Sequence, residues 1–301
     1  MKYSFIICVA VVLLCSLWSC GKNAVLPHSA PSRDSIEVCD DLGTKEKIFY
    51  PPRNIISLAP NITEILFAVS AQNRLAGVTT FCNYPPAAAS IQKVSDLQTP
   101  NYELISALHP DIIFMSFSGN IRQAYDKFRA LGLAPFLVRS ESVDSIFSAI
   151  RKIGHAVGRD STANRVADSL RAITDSIRAL ASKTQPVTAM IVVDVNPLIV
   201  VGSGFINDEL AIAGGKNIAE GLGAAYPQLN REFPLEKKPR FILISGDIPE
   251  TTDAILKIFP EWKQLMKNGT VVKRFNADAV SRPGPRITEG IETLYNELHP
   301  H

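Results

Sequence analysis

Residue types able to do chemistry are present in the chain, but they are not gathered. Five histidines, His28, His109, His155, His299 and His301, are scattered along it, whereas a zinc or manganese receptor needs several imidazoles converging on one ion. Gly215-Lys216 runs into Asn217 without the earlier glycine of a phosphate-binding loop. Gly202-Ser203-Gly204 starts like a dinucleotide fingerprint, yet Asn207 stands where its third glycine belongs. No G-x-S-x-G, H-E-x-x-H or C-x-x-C occurs. The balance moves from catalysis toward binding. A hydrolase, the reading from another class, requires a nucleophile and base that no motif supplies, and no resident metal or cofactor is expected.

Two carboxylates stand out by repetition. Glu103, in Asn101-Tyr102-Glu103, lies seven positions before Pro110, and Glu232, in Asn230-Arg231-Glu232, lies seven before Pro239. Each proline leads into an apolar run, so two lobes built alike would present equivalent glutamates. Both also suit plain helix starts, where a carboxylate complements the macrodipole. Arg282 precedes Pro283-Gly284-Pro285, and its planar fork suits a carboxylate or phosphate. A solvated loop arginine is the plainer alternative.

The elements around these residues alternate between strand and helix patterns, which predicts an α/β fold. Strands are expected over 54–58, 75–78, 112–116 and 135–138. Asn61 should cap a helix running through Val69, with Glu64 in the capping-box position. Further helices are expected over 102–108 and 121–131. Residues 143–157 and 161–182 then read as two helices around Gly158. In the second, Val166, Leu170, Ile173, Ile177 and Leu180 recur at three- and four-residue steps. A helix of that length would reach roughly 33 Å, a rigid strut between lobes. The second lobe carries strands over 187–195, 199–201, 241–244 and 271–275. Its helices span 208–213, 251–266 with a break at Pro260, and 285–298.

The first residues read as targeting. Met1-Lys2 precedes an apolar run from Phe5 to Leu17, too short to span a bilayer comfortably. It ends Leu17-Trp18-Ser19-Cys20-Gly21, which resembles a bacterial lipobox with Cys20 as the lipidated residue. Residues 1–19 are then a signal peptide and 20–52 a proline-bearing tether. Residues 53–142 form the first lobe, 143–184 the helical connector and 185–301 the second lobe. After processing, Cys39 and Cys82 remain in an oxidising compartment. Spacing leaves open whether they are bridged or are two separate thiols.

The chain has 301 residues, 46% of them hydrophobic, and a formal net charge of +2. That is long enough for two domains. So even a balance excludes a chain-wide basic groove for nucleic acid, and the apolar content excludes an acidic disordered chain.

Arg53-Asn54-Ile55-Ile56-Ser57-Leu58-Ala59-Pro60-Asn61-Ile62-Thr63-Glu64 resembles the opening of the periplasmic cobalamin and iron-siderophore binding proteins. So do Phe81-Cys82-Asn83-Tyr84-Pro85-Pro86, Asn101-Tyr102-Glu103 with Pro110-Asp111, and Pro285-Arg286-Ile287. The pieces run in the family's order from about Arg53 to Leu298. The resemblance implies two α/β, Rossmann-like lobes joined by one long helix, with a metal chelate held in the cleft between them. It also implies a non-enzymatic component of an ABC importer outside the cytoplasm, which is expected to be a monomer and, from the lipobox-like segment at Cys20, lipid-anchored. The chelate is a cobalamin or corrinoid, or alternatively a ferric siderophore or haem. Carried over by position, the aromatic pocket keeps Phe81 and Tyr226. Leu97, Ser116, Ile199 and Ala279 stand where that receptor has other aromatics, and Phe117 is placed to compensate. The expected ligand-binding set is Asn61, Phe81, Tyr84, Phe117, Tyr226 and Arg282. Glu103 and Glu232 match the carboxylates that dock the permease. A single helical strut implies a small lobe movement on binding.

Overall fold

The computed structural model describes residues 33–96, 99–117 and 121–300. The described chain opens with an antiparallel hairpin, β1 (Ser35–Cys39) and β2 (Lys45–Phe49). These residues were expected to be tether. Their alternation is masked by charged neighbours on the outer face, but Val38 and Ile48 point inward and are buried. Buried Asp40 holds the turn, accepting from the Leu42 and Thr44 amides at 2.9 Å and from the Tyr125 hydroxyl at 2.7 Å.

The first sheet contains β3 (Ile55–Ser57), β4 (Leu75–Thr79), β5 (Lys93–Ser95), β6 (Ile112–Ser116) and β7 (Pro135–Val138). All pairs are parallel and the order is β5-β4-β3-β6-β7. Strand order therefore reverses between β3 and β6, and in open α/β sheets a ligand binds at the carboxyl ends beside such a reversal. Helices α1 (Pro60–Ala68), α2 (Tyr102–Ala107) and α3 (Ile121–Ala130) belong to this lobe.

Two helices follow, α4 (Val143–Ala156) and α5 (Asp160–Ala181), separated by Gly158 at φ +68°. α5 is 22 residues long, about 33 Å, as its periodicity implied. It is not a bare rod, because α4 lies along it. An added Cβ at Gly154 would sit 2.1 Å from the Ala163 Cβ, so the two backbones touch only because one position carries no side chain.

The second sheet comprises β8 (Val187–Val195), β9 (Leu198–Val200), β10 (Gly215–Asn217), β11 (Phe241–Ser245) and β12 (Val271–Phe275). The order is β10-β8-β11-β12, parallel throughout, with β9 antiparallel on β8. Its helices are α6 (Phe205–Ile212), α7 (Phe233–Lys237), α8 (Thr252–Ile258), α9 (Trp262–Lys267), α10 (Ala277–Val280) and α11 (Ile287–Leu298). The break between α8 and α9 falls at Pro260, where the missing N–H and the ring interrupt a helix.

Alternation within the strands assigns three cores. Ile113 and Met115 of β6 join Phe128 and Leu137 on the outer face of the first sheet. Met190 and Val192 of β8 join Ile242, Ile244 and Trp262 outside the second. The inner residues form one continuous core across both lobes: Phe114 and Phe136, Ile150 and Ile153 of α4, Ala167 and Ile177 of α5, then Ile191, Leu243 and Leu294. The lobes are thus joined through packed side chains, and interiors at this density transmit strain rather than yield. Gly154→Ala should therefore destabilise, although alanine is the better helix former. Overpacking costs about 1–3 kcal/mol, so thermal denaturation should show a melting midpoint lower by several degrees.

Candidate functional site

The six residues expected at the ligand site all lie beyond the carboxyl ends of parallel strands. Asn61 follows β3, and Phe81 and Tyr84 follow β4. Phe117 is the residue after β6, Tyr226 lies in the connection after β10, and Arg282 follows β12 and α10. Four are aromatic and open to solvent: Phe81 is 51% exposed, Tyr84 40%, Phe117 40% and Tyr226 50%. Large apolar rings left uncovered at the carboxyl edges of both sheets make these residues the candidate binding surface.

Local geometry explains their placement. Phe81 and Tyr84 share a turn closed by the Phe81 N–H donating to Thr79 Oγ1 at 3.3 Å and by Lys93 Nζ reaching Cys82 O at 3.3 Å. Cys82 is buried, with its thiol between Thr63 and Thr79 at 3.1 and 3.2 Å. Cys39 is exposed, and both are free thiols. The Arg139 guanidinium lies 4.1 Å from the Phe117 ring centre, a favourable cation–π distance. Tyr226 rides on the loop that returns along β9, where the Gly202 N–H donates to Ala225 O at 2.8 Å. A Cβ at Gly202 would meet Ala224 O at 2.5 Å, so this approach requires glycine. Partial burial first, and the Glu209 carboxylate second, push the Tyr226 phenol above its ordinary range.

Asn61 and Arg282 differ from expectation. Pro60 occupies the first helical position, where its missing N–H costs nothing, so α1 starts earlier and Ala59 is its uncapped boundary. Asn61 is one residue inside the helix, buried, and its amide donates to Pro283 O at 3.2 Å and Ser140 Oγ at 3.5 Å. Nor does Glu64 complete a capping box. It is the buried centre of an ion cluster that crosses from the first lobe to the second.

Arg286 grips Glu64 with two bonds, Nε to Oε2 and Nη2 to Oε1, each 3.0 Å. Its third nitrogen, Nη1, reaches Asp278 Oδ2 at 2.7 Å. Arg282 Nη1 donates to the same Glu64 Oε1 at 3.1 Å. Arg282 Nη2 reaches Asn83 Oδ1 at 2.8 Å and Asp278 Oδ1 at 3.0 Å. Arg282 is therefore neither a solvated loop arginine nor an unpaired anion site. The Arg286 guanidinium also stacks on Tyr84, 4.0 Å from the ring centre. Burial alone would lower Arg286, but hydrogen bonds and charge from Glu64 and Asp278 outweigh it and hold the proton more tightly than usual. For Asp278, burial works upward, and the two arginines more than offset it, leaving the carboxyl below its ordinary range.

Direct contacts thus bring Asn61, Tyr84 and Arg282 together at one seam, with Phe81 in the same turn. Phe117 and Tyr226 are fixed by other partners on their own edges. Glu64, Asn83, Asp278 and Arg286 were missed as site residues. The spacing Asp278, Arg282, Arg286, with four residues per step, was the available signal. Glu103 and Glu232 are both exposed, at the starts of α2 and α7. Glu103 borders an open groove of about 570 Å³ with Tyr102, Lys127 and Leu131.

The chain belongs to the periplasmic binding protein family, whose model matches residues 55–273. It is 29% identical over 252 residues to the vitamin B12-binding protein of Vibrio cholerae serotype O1, covering 83% of this chain and 90% of that protein. The crystal structure of the periplasmic vitamin B12 binding protein of Vibrio cholerae superposes with a TM-score of 0.72 at 28% identity, covering 82% of this chain and 97% of that one. A periplasmic heme-binding protein from Roseiflexus sp. RS-1 also superposes with a TM-score of 0.72, at 21% identity, covering 82% and 99%. This is a non-enzymatic binding family, and the two-lobed α/β fold expected from the sequence is its fold.

One further carboxyl lies beneath this region. Glu209 of α6 is fully buried and neither oxygen has a hydrogen-bond partner among the described residues. It faces Gly290 of α11, where a Cβ would come within 3.0 Å of Oε1. Burial first, then the neighbouring Asp208 charge, raise it well above the usual carboxylate range. Between the ordinary and the raised value the folded state binds more protons than the unfolded one, so stability falls as pH rises through that window.

Two outcomes follow from these environments. Arg286→Ala leaves the buried Glu64 carboxylate, among the described residues, with only its single bond from Arg282 and should cost about 3 kcal/mol, read by denaturant unfolding. Glu209→Gln should flatten the alkaline side of the stability profile, which for one group has a slope of at most about 1.4 kcal/mol per pH unit. Melting midpoints of native and variant protein should converge near pH 4, below the window, and the variant should be the more stable at neutral pH.

Proposed function

We propose that this chain is the substrate-binding component of an ABC importer, capturing a metal chelate of the cobalamin or corrinoid type and passing it unaltered to a permease. The observation that carries this reading is the set of four uncovered aromatic rings on the carboxyl edges of both sheets. Broad apolar walls with a few fixed polar groups suit a large, rigid ligand. In this reading Phe81, Tyr84, Phe117 and Tyr226 contact the chelate, while Asn61 and Arg282 support the wall they border. The similarity to a vitamin B12-binding protein over most of both chains supports the corrinoid. A haem or ferric siderophore is the second reading, favoured by the fold shared with a heme-binding protein.

Glu103 and Glu232 are proposed as the permease contacts, one exposed carboxylate per lobe. Two separated charges fix orientation and steer encounter more than they add affinity. The receptor is proposed to act as a monomer, held at the membrane through lipidated Cys20, which lies outside the described residues. No helix among the described residues is long and apolar enough to cross a membrane. The even charge balance gives no basis for nucleic acid as a partner.

Cyanocobalamin, haemin and a ferric siderophore should be compared by thermal shift and intrinsic fluorescence. A ligand at 100 times its dissociation constant stabilises the folded state by about 2.7 kcal/mol, and cyanocobalamin should give the largest shift. Phe81→Ala or Tyr226→Ala should weaken it about tenfold or more. No shift with cyanocobalamin alongside a clear one with haemin would transfer the assignment to the second reading. Replacing Glu103 and Glu232 together by alanine should abolish uptake in cells while leaving affinity of the purified protein intact. Loss of ligand binding in that double variant would place them in the pocket instead.

A further inference from the structure

The ion cluster at the seam has a charge balance of its own. Arg282 and Arg286 contribute two positive charges, and Glu64 and Asp278 contribute two negative ones within 3.1 Å of them. Every nitrogen of Arg286 is bonded inside the protein, and its face lies on Tyr84. The cluster is nevertheless next to the binding wall. Tyr84 is partly open, and the Asp278 side chain is 48% exposed against 9% for Arg286. A ligand resting on Tyr84 would sit beside two guanidinium groups whose charge is already cancelled.

We propose that Glu64 and Asp278 set ligand selectivity as a charge filter, cancelling the two arginines in place so that the site favours an uncharged chelate over an anionic one of similar size. This rests on the reading of the site as a chelate receptor. A receptor built to hold carboxylates with these arginines would leave at least one guanidinium edge without an internal acid. Here an approaching carboxylate meets Arg286 with every nitrogen bonded and Arg282 with both terminal nitrogens already on Glu64, Asp278 and Asn83, and Asp278, the most open member, repels it. Asp278 is thus a specificity residue through its charge, and Glu64 is a positioning residue that also keeps the Arg286 guanidinium fixed against Tyr84. The Asn83 bond to Arg282 ties the ligand-bearing turn of the first lobe to the same balance.

The test compares haemin, which carries two propionates, with haemin dimethyl ester, the same macrocycle without them, so shape is constant and only charge changes. Full-length native protein, Asp278→Asn and Arg282→Gln are titrated with each, and folding is checked by circular dichroism and melting. Asp278→Asn leaves one positive charge unbalanced. It should raise the affinity ratio of haemin to its ester about fivefold or more at low salt, with the gain shrinking toward none near 0.5 M salt, where exposed charges are screened. Arg282→Gln leaves the opposite imbalance and should lower the same ratio. Because the readout is a ratio, a general loss of stability or wall geometry does not move it. A ratio unchanged in both folded variants at low salt would overturn the filter while leaving the chelate reading standing. Where the native protein binds cyanocobalamin but neither porphyrin, the ratio is read between cyanocobalamin's monocarboxylic acid and cyanocobalamin itself, and a ratio unchanged in both variants overturns the filter. If it bound none of these chelates, the functional reading would fall and the filter with it.

Discussion

A single buried carboxylate, Glu64, holds the two halves of this molecule in register. It sits on the first helix of the first lobe and receives three bonds from arginines at the last corner of the second. Taking a carboxylate out of water costs several kcal/mol, and only near-ideal geometry with every lone pair used offsets it. The bidentate grip of Arg286 supplies that geometry. Such a pair is weak evidence for stability, but it specifies one arrangement, because any sliding of the lobes leaves charges buried and unpaired. Asn61 reinforces the same seam through Pro283 O. Gly284 lies where a Cβ would be 3.4 Å from Asn61 O.

The apolar interior works to the same end. The inner faces of both sheets, the paired connector helices and α11 share one core, so the connector is a packed layer rather than a hinge. Opening would separate close-packed surfaces and expose them to water, at roughly 25 cal/mol per Å². Under the proposed function, ligand capture relies on surfaces formed in advance. The aromatic rings are already uncovered, Tyr84 is already supported by Arg286 and Phe117 by Arg139. Preformed walls reduce the ordering cost that binding would otherwise carry.

Much of this was legible in the sequence. The buried parallel strands are nearly continuous apolar runs, as in Ile112–Ser116 and Phe241–Ser245, and such runs identify themselves. The long connector followed from its helical spacing, and the family from motif resemblance. The three-residue edge strands β5 and β10 offered no apolar run to read. The hairpin β1–β2 was hidden because charged residues alternate with its two inward side chains. Asn61 and Glu64 were misassigned because a local capping pattern and a long-range contact use the same residue types. Local spacing cannot reveal a partner 222 positions away, which is the separation of Glu64 and Arg286.

The central claim is that the lobes are locked by this seam and shared core, so ligand enters a receptor that scarcely moves. The direct measurement is the distance between spin labels on the two lobes, at Gln123→Cys and Asp253→Cys in a Cys39→Ser background, with and without bound cyanocobalamin. Both label positions are exposed. The account predicts one narrow distance distribution whose mean shifts by no more than about 1 Å. A shift well beyond about 2 Å, or a second population that ligand removes, would contradict it.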